Sequence, residues 1–269
     1  MSYTKKILDI LISIESWCII ILATIFFAPA AILISFFGNM ERTQKIARLW
    51  GKTIVKFLGI NISLNGSENI GDSKSYLIVC NHQSYFDIFV LLASLGLNFK
   101  FIAKASLFKI PFLGWSMKRL GYIPIDRENL RSALKSVKKS TELIKNKTSI
   151  LSFPEGTRSL DGKLLSFKKG GLNMFLKQGG ITVLPAAIKG TVNILRKNSL
   201  AVHPGQKVEL HILKPIEISE KNKGLTSGKE DGIIKTIWAF LPIFNNSDIF
   251  KFLLLSILSS YNSFFNKII

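Results

Sequence analysis

From Trp17 to Phe37 the chain reads WCIIILATIFFAPAAILISFF, a run without a single charge. Nothing else in the sequence constrains the fold as much, because so apolar a segment must be covered by lipid or by protein. Its length is close to the roughly 20 residues that a membrane-crossing helix needs. A cleaved leader fits poorly: the stretch is too long, and no clear small-x-small cleavage site follows before Asn39. Pro29 stands in the middle of the run, where it removes a backbone donor and crowds the preceding turn, so a break is expected there. Lys5 and Lys6 precede the run, while Arg42, Lys45, Arg48, Lys52 and Lys56 follow it. The excess after the run favours a cytoplasmic body. Two topologies satisfy these features. One is a single span. The other is a helix-break-helix that dips into one leaflet and returns, and Pro29 with the two-sided charge tilts the reading towards it.

The rest of the composition agrees with a membrane enzyme or binding protein. The chain has 269 residues, 48% of them hydrophobic, enough for one large α/β domain with an anchor. The formal net charge is +19, which calls for an anionic partner: nucleic acid, a membrane surface or a phosphorylated small molecule. A mean hydropathy of +0.30 favours the membrane. A nucleic-acid binder should also show a known module, or aromatic residues interleaved with basic ones, and neither is found, so no nucleic-acid partner is expected. Cys18 and Cys80 give no disulfide framework, and His82, His203 and His211 have no metal-ligand spacing.

Beyond Gly59 short apolar runs alternate with helical segments. Ser75–Cys80, Phe99–Ala103, Tyr122–Ile125, Ser149–Phe153, Thr182–Ile188 and Lys207–Leu213 read as strands. Ile88–Leu95 reads as an apolar helix and Leu172–Lys177 as a short one. Leu130–Ile144 is amphipathic, with Leu130, Leu134, Val137, Thr141 and Ile144 on one face and Lys135, Lys138, Lys139 and Lys145 on the other. The expected fold class is therefore α/β, a mixed sheet flanked by helices and preceded by a hydrophobic membrane-anchoring helical segment. Three regions follow: an anchor over residues 1–40, an α/β domain over 41–216, and a C-terminal linker with apolar, membrane-associated helices over 217–269. The densest part of that tail, Ile249–Leu258, is too short to span and contains Lys251, which suits an interfacial helix.

Two stretches carry chemistry. NHQSYFD (Asn81 to Asp87) follows a strand directly and leads into an apolar helix. In open α/β sheets function gathers at the carboxyl ends of strands, where His82 falls. Ser84 fits an N-cap, with Asp87 three residues on as in a capping box, at a helix end that favours a carboxylate. His82, in the loop before the helix, can then meet Asp87. An imidazole oriented by an aspartate is a general base with a fixed tautomer, and an alcohol substrate can be deprotonated by it directly. The plainer alternative is a capping aspartate beside a loop histidine. FPEGTRS (Phe153 to Ser159) also ends a strand. Pro154 stops the strand, Gly156 allows close backbone approach, and Arg158 can hold a phosphate in a fork with Thr157 adding a hydroxyl. Lys168, Lys169, Gly170 and Gly171 extend the positive region. A surface turn with an exposed arginine is the alternative there.

Taken together, NHQSYFD, FIAKASLFKIPFLGWSMKRLGYIPIDR (Phe101 to Arg127), FPEGTRS and VLPAAIKG (Val183 to Gly190) resemble, in order and spacing, the glycerolipid acyltransferases that include the bacterial 1-acyl-glycerol-3-phosphate enzymes. The second block carries Lys104, Pro111, Gly114, Gly121 and Arg127 in the family's pattern, and the fourth carries Pro185. Ser106 stands where a glutamate is frequent, so any ion pair made there is missing. The likeness extends from about Arg42 to Ile216. It implies His82 as general base and Asp87 as its orienting partner. It also implies that Lys104, Arg127, Glu155, Gly156, Thr157 and Arg158 line the site for the acceptor's phosphate, with Lys104 and Arg158 in direct contact. Arg127 and Glu155 could equally form a structural ion pair.

The resemblance further implies transfer of a fatty acyl chain from acyl-CoA or acyl-acyl carrier protein to the sn-2 hydroxyl of lysophosphatidic acid, with no metal or redox cofactor. The setting would be the inner membrane, with the site facing the cytoplasm. Another lysolipid, such as a lyso-ornithine lipid, is the alternative acceptor. A membrane-tethered basic binding protein is the alternative outside enzymes.

Overall fold

The computed structural model describes residues 3–38, 40–71, 74–126, 129–167 and 179–218, with residues 172, 174, 175 and 177 between them. The roles expected of Arg127, of Lys168 to Gly171 and of the tail beyond 218 lie outside the described residues.

A sheet of eight strands forms the centre. In chain order they are β1 (Asn61–Asn65), β2 (Tyr76–Cys80), β3 (Phe99–Lys104), β4 (Ile123–Ile125), β5 (Ser149–Ser152), β6 (Ile181–Lys189), β7 (Lys207–Ile212) and β8 (Ile216–Ile218). Across the sheet the order is β1-β7-β6-β2-β5-β3-β4, with β8 also on β6. The run from β6 through β2, β5 and β3 to β4 is parallel. β7 and β8 pair antiparallel to β6, and β1 lies parallel to β7. The sheet is mixed, as expected. β2 shows why its sequence is apolar throughout: all five residues are buried. Strands covered on both faces read as continuous hydrophobic runs.

Pro185 occupies a central strand, a position that usually excludes proline. Its carbonyl accepts the Leu213 N–H at 2.9 Å. Leu213 lies between the end of β7 and the start of β8, where the edge of β6 changes partner. The absent proline donor thus faces a place where the ladder is already interrupted.

Helices cover both faces. They are α1 (Tyr3–Ser35), α2 (Met40–Phe57), α3 (Phe86–Ser94), α4 (Leu113–Arg119), α5 (Leu130–Lys145) and α6 (Thr191–Ile194). Tyr76, Ile78 and Cys80 of β2 join a large core with α1 to α4. Leu77 and Val79, equally buried, point the other way, and α5 packs against β4, β5 and β6. Gly51 sets the spacing of α2 on α3. A Cβ there would lie 2.8 Å from Leu92 Cβ and 2.9 Å from the Phe89 carbonyl, so the two helices approach at backbone distance.

Two sequence expectations change. The break at Pro29 does not occur: α1 is one helix through it, and the chain turns at Phe36 to Gly38 instead. This helix is also docked on the body. Ser13 Oγ accepts the Val202 N–H at 3.2 Å, the Trp17 indole donates to the Leu200 carbonyl at 2.8 Å, and the Trp50 indole donates to Thr24 Oγ at 3.2 Å. Farther along, the Arg119 guanidinium covers the Phe36 ring at 4.2 Å. In α5 the buried face is Ser136, Val137, Ser140, Thr141 and Ile144, while Leu134 is 48% exposed. Ser136, Ser140 and Thr141 return their hydroxyls to carbonyls four residues back, which lets polar residues face a sheet. Helices α2 and α4 and strands β1 and β8 were not among the expected elements.

Candidate active site

Strands β2, β5 and β3 run parallel and adjacent, so their carboxyl ends share one edge of the sheet. At that edge β2 stops at Cys80, and Asn81 replaces the next ladder step with its side chain. Its amide donates to the Ile188 carbonyl at 2.9 Å, and its carbonyl oxygen accepts the Ile188 N–H at 2.8 Å. The backbone is thereby freed to turn, and His82 enters the loop before α3.

His82 Nδ1 lies 2.7 Å from Asp87 Oδ2. The same oxygen accepts the backbone N–H of Gln83 at 2.7 Å and of Ser84 at 3.0 Å. Asp87 is completely buried. The bond to Ser84 is the returning arm of a capping box, although α3 itself begins at Phe86 with Tyr85 as its N-cap. Ser84 Oγ accepts the Phe86 N–H at 3.3 Å and donates to the Leu195 carbonyl at 2.8 Å. The imidazole is stacked on Phe153, with centroids 4.0 Å apart and planes 11° from parallel. Ring plane and Nδ1 partner are both fixed, which leaves Nε2 as the nitrogen that can accept a proton. Among the described residues no serine, threonine or cysteine bonds that nitrogen. The arrangement suits removal of a proton from an external hydroxyl.

The loop after β5 holds the histidine's backbone. Glu155 Oε1 accepts the His82 N–H at 2.6 Å, Glu155 Oε2 accepts the Leu165 N–H at 3.0 Å, and the Ser159 N–H donates to the His82 carbonyl at 2.9 Å. Glu155 is 2% exposed. Burial pushes its carboxyl up to about 7, against the lowering effect of those two backbone donors. Both its oxygens are engaged inside the protein, so the structure sets Glu155 beneath the loop and not among groups facing a phosphate. Gly156 takes a left-handed backbone (φ 70°) that bends the loop there.

Cationic groups surround the same edge. Arg158 lies over the Tyr85 ring at 3.6 Å from its centroid. Thr157 is exposed, and its hydroxyl accepts from Lys197 Nζ at 2.9 Å. Lys104 ends β3 and is exposed. It stands two strands from β2, about 10 Å at the usual strand spacing. Lys197 was not anticipated: it follows β6 and α6, outside every motif, and only the fold brings it to Thr157.

A small apolar cavity of about 40 Å³ lies between α1, α2, α4 and the sheet. Phe27, Ala31, Trp50, Met117 and Tyr122 line it. The Tyr122 hydroxyl is buried there without a hydrogen-bond partner among the described residues.

A family model described as Acyltransferase matches residues 61–189, from the first residue of β1 to the last of β6. The chain is 42% identical over 177 residues to the chloroplastic 1-acyl-sn-glycerol-3-phosphate acyltransferase LPAT1 of Arabidopsis thaliana, a match covering 65% of this chain and 49% of that one. It is 34% identical over 183 residues to the 1-acyl-sn-glycerol-3-phosphate acyltransferase of Borreliella burgdorferi, covering 66% of this chain and 72% of that one. The crystal structure of the 1-acyl-sn-glycerophosphate (LPA) acyltransferase PlsC from Thermotoga maritima superposes with a TM-score of 0.73 at 32% identity. That match covers 87% of this chain and 93% of the other. The chain spans about half the length of that Arabidopsis relative.

Proposed function

The chain belongs to the acyltransferase family that includes the 1-acyl-sn-glycerol-3-phosphate acyltransferases, and from that premise we propose that it converts lysophosphatidic acid to phosphatidic acid. The acyl group comes from a thioester, either acyl-CoA or acyl-acyl carrier protein. The observation that carries the reading is the His82–Asp87 pair, closed at 2.7 Å with Nε2 unclaimed by any described nucleophile.

In this mechanism the acceptor's phosphate rests among Arg158, Lys104 and the Gly156–Thr157 turn, and its sn-2 hydroxyl reaches His82 Nε2. The imidazole takes the hydroxyl proton as the oxygen attacks the thioester carbonyl. Asp87 stabilises the imidazolium that forms. Collapse of the tetrahedral adduct breaks the carbon–sulfur bond, and the imidazolium returns its proton to the departing thiolate. Acid–base chemistry suffices for every step, with no metal or redox cofactor. Cations at the rim favour a phosphate-bearing acceptor over a lyso-ornithine lipid.

The membrane setting follows from α1. It is long and apolar enough to cross a bilayer, yet it is docked on the body from Ser13 to Phe36, about 35 Å at 1.5 Å per residue. A hydrocarbon core is only about 30 Å thick, so an upright α1 would drag the body into lipid. We therefore place α1 along one leaflet with Ile21, Leu22, Ile25, Phe26 and Leu33, all exposed, facing the acyl chains. The basic residues of α2 then meet anionic headgroups on the cytoplasmic side of the inner membrane. Side-by-side assays of lysophosphatidic acid and other lysolipids, each with both thioester donors, test the assignment. Phosphatidic acid should be the dominant product, and a preference for a phosphate-free acceptor would overturn the reading.

A further inference from the structure

The two oxygens of Asp87 are served differently. Oδ2 takes its three partners from the adjoining loop, His82 Nδ1 and the backbone of Gln83 and Ser84. Oδ1 has one partner among the described residues, the hydroxyl of Thr191, at 2.5 Å and 104 residues away in sequence. Both side chains are completely buried, so no solvent replaces that donor.

The placement of Thr191 is built into the turn after β6. Gly190 has φ 99°, and a Cβ there would lie 2.4 Å from the Lys207 carbonyl oxygen. Only glycine lets β6 turn so close to β7. The turn is then held to the histidine loop by Gln83, whose Oε1 accepts the Gly190 N–H at 3.1 Å and whose Nε2 donates to the Gly162 carbonyl at 2.7 Å. Gln83 Oε1 lies 3.5 Å from the Thr191 hydroxyl, a full ångström farther than Asp87. The hydroxyl proton therefore belongs to the aspartate.

We infer that Thr191 is a positioning residue for acyl transfer: its hydroxyl fixes the rotation of the Asp87 carboxylate, and through it the aim of His82. Without that bond only contacts on Oδ2 restrain the carboxylate, and Oδ1 is left buried and unpaired. Thr191 reaches no substrate, so its influence falls on the step in which His82 moves a proton and not on binding. The inference rests on the acyltransferase reading above.

Thr191→Val keeps the shape and removes the donor, while Thr191→Ser keeps the donor and removes the methyl. With the full-length enzyme in detergent, kcat and the KM of acceptor and donor are measured beside thermal stability. Thr191→Val should lose about tenfold or more in kcat with both KM values unchanged, the scale expected for a lost hydrogen bond to a charged group. Thr191→Ser should stay within about twofold of the wild type. Should Thr191→Val fail to fold, Thr191→Ala against Thr191→Ser makes the same comparison. Wild-type kcat in the valine variant overturns the inference, as does a serine variant that is equally impaired, because packing and not the hydroxyl would then matter. An inactive wild type would instead overturn the reaction assignment itself and the inference with it.

Discussion

Glu155 Oε1 accepts the backbone N–H of His82 at 2.6 Å, joining two motifs that lie 73 residues apart in sequence. With the Ser159 N–H on the His82 carbonyl, the peptide on either side of the catalytic candidate is gripped by the loop after β5. The second motif therefore works on the first through its backbone, before any substrate is considered.

This placement gives stability a pH dependence. The Glu155 carboxyl is raised from its ordinary 4.5 to about 7 in the folded protein, mainly by burial. A carboxyl raised on folding holds its proton more tightly in the native state. Its contribution is full below about pH 4.5 and is lost as pH rises through 7, amounting to roughly 3 kcal/mol. Glu155→Gln cannot ionise and should lack that segment of the curve. Thermal unfolding of both proteins between pH 5 and pH 8 checks this, and parallel curves would contradict it.

Arg158 should matter for acceptor binding. Arg158→Ala is expected to raise the KM for lysophosphatidic acid by about tenfold or more, the loss of a charge-assisted contact, with the donor KM unchanged. Arg158→Lys should recover little, because a lysine lacks the planar fork and the stacking that holds Arg158 over Tyr85. Steady-state kinetics with each substrate varied in turn provide the check.

Charging the outer face of α1 should detach the protein without unfolding it. Ile21, Leu22, Ile25 and Phe26 are exposed, so glutamate at all four costs little packing but opposes burial in lipid. Flotation with anionic vesicles should show loss of binding, while circular dichroism stays native. Continued binding would move the membrane contact elsewhere.

The parts legible in the sequence were those whose signal is local. The apolar run of β2, the turn after it and the two motifs announce themselves, because a doubly covered strand and a functional loop each leave a mark over a few residues. Other features depend on partners far along the chain. Pro29 suggested a break, yet packing of α1 on the body carries the helix through it. Ser136 and Ser140 carry no apolar mark, and they reach the buried face of α5 with their hydroxyls bonded to the preceding turn. The family resemblance left Glu155 either on the phosphate side or in a structural ion pair, and only the fold shows both its oxygens taken by backbone donors beneath the loop. Lys197 and Thr191 had no local mark at all; only the return of the chain past β6 brings them to the site.

The account rests on His82 as the base. The wild type and His82→Ala, purified in detergent, should be given lysophosphatidic acid with acyl-CoA and, separately, with acyl-acyl carrier protein, while phosphatidic acid and free thiol are followed. The wild type should form both products with at least one donor, and the folded variant should lose about a thousandfold or more in rate. A folded His82→Ala enzyme that turns over like the wild type would contradict the mechanism.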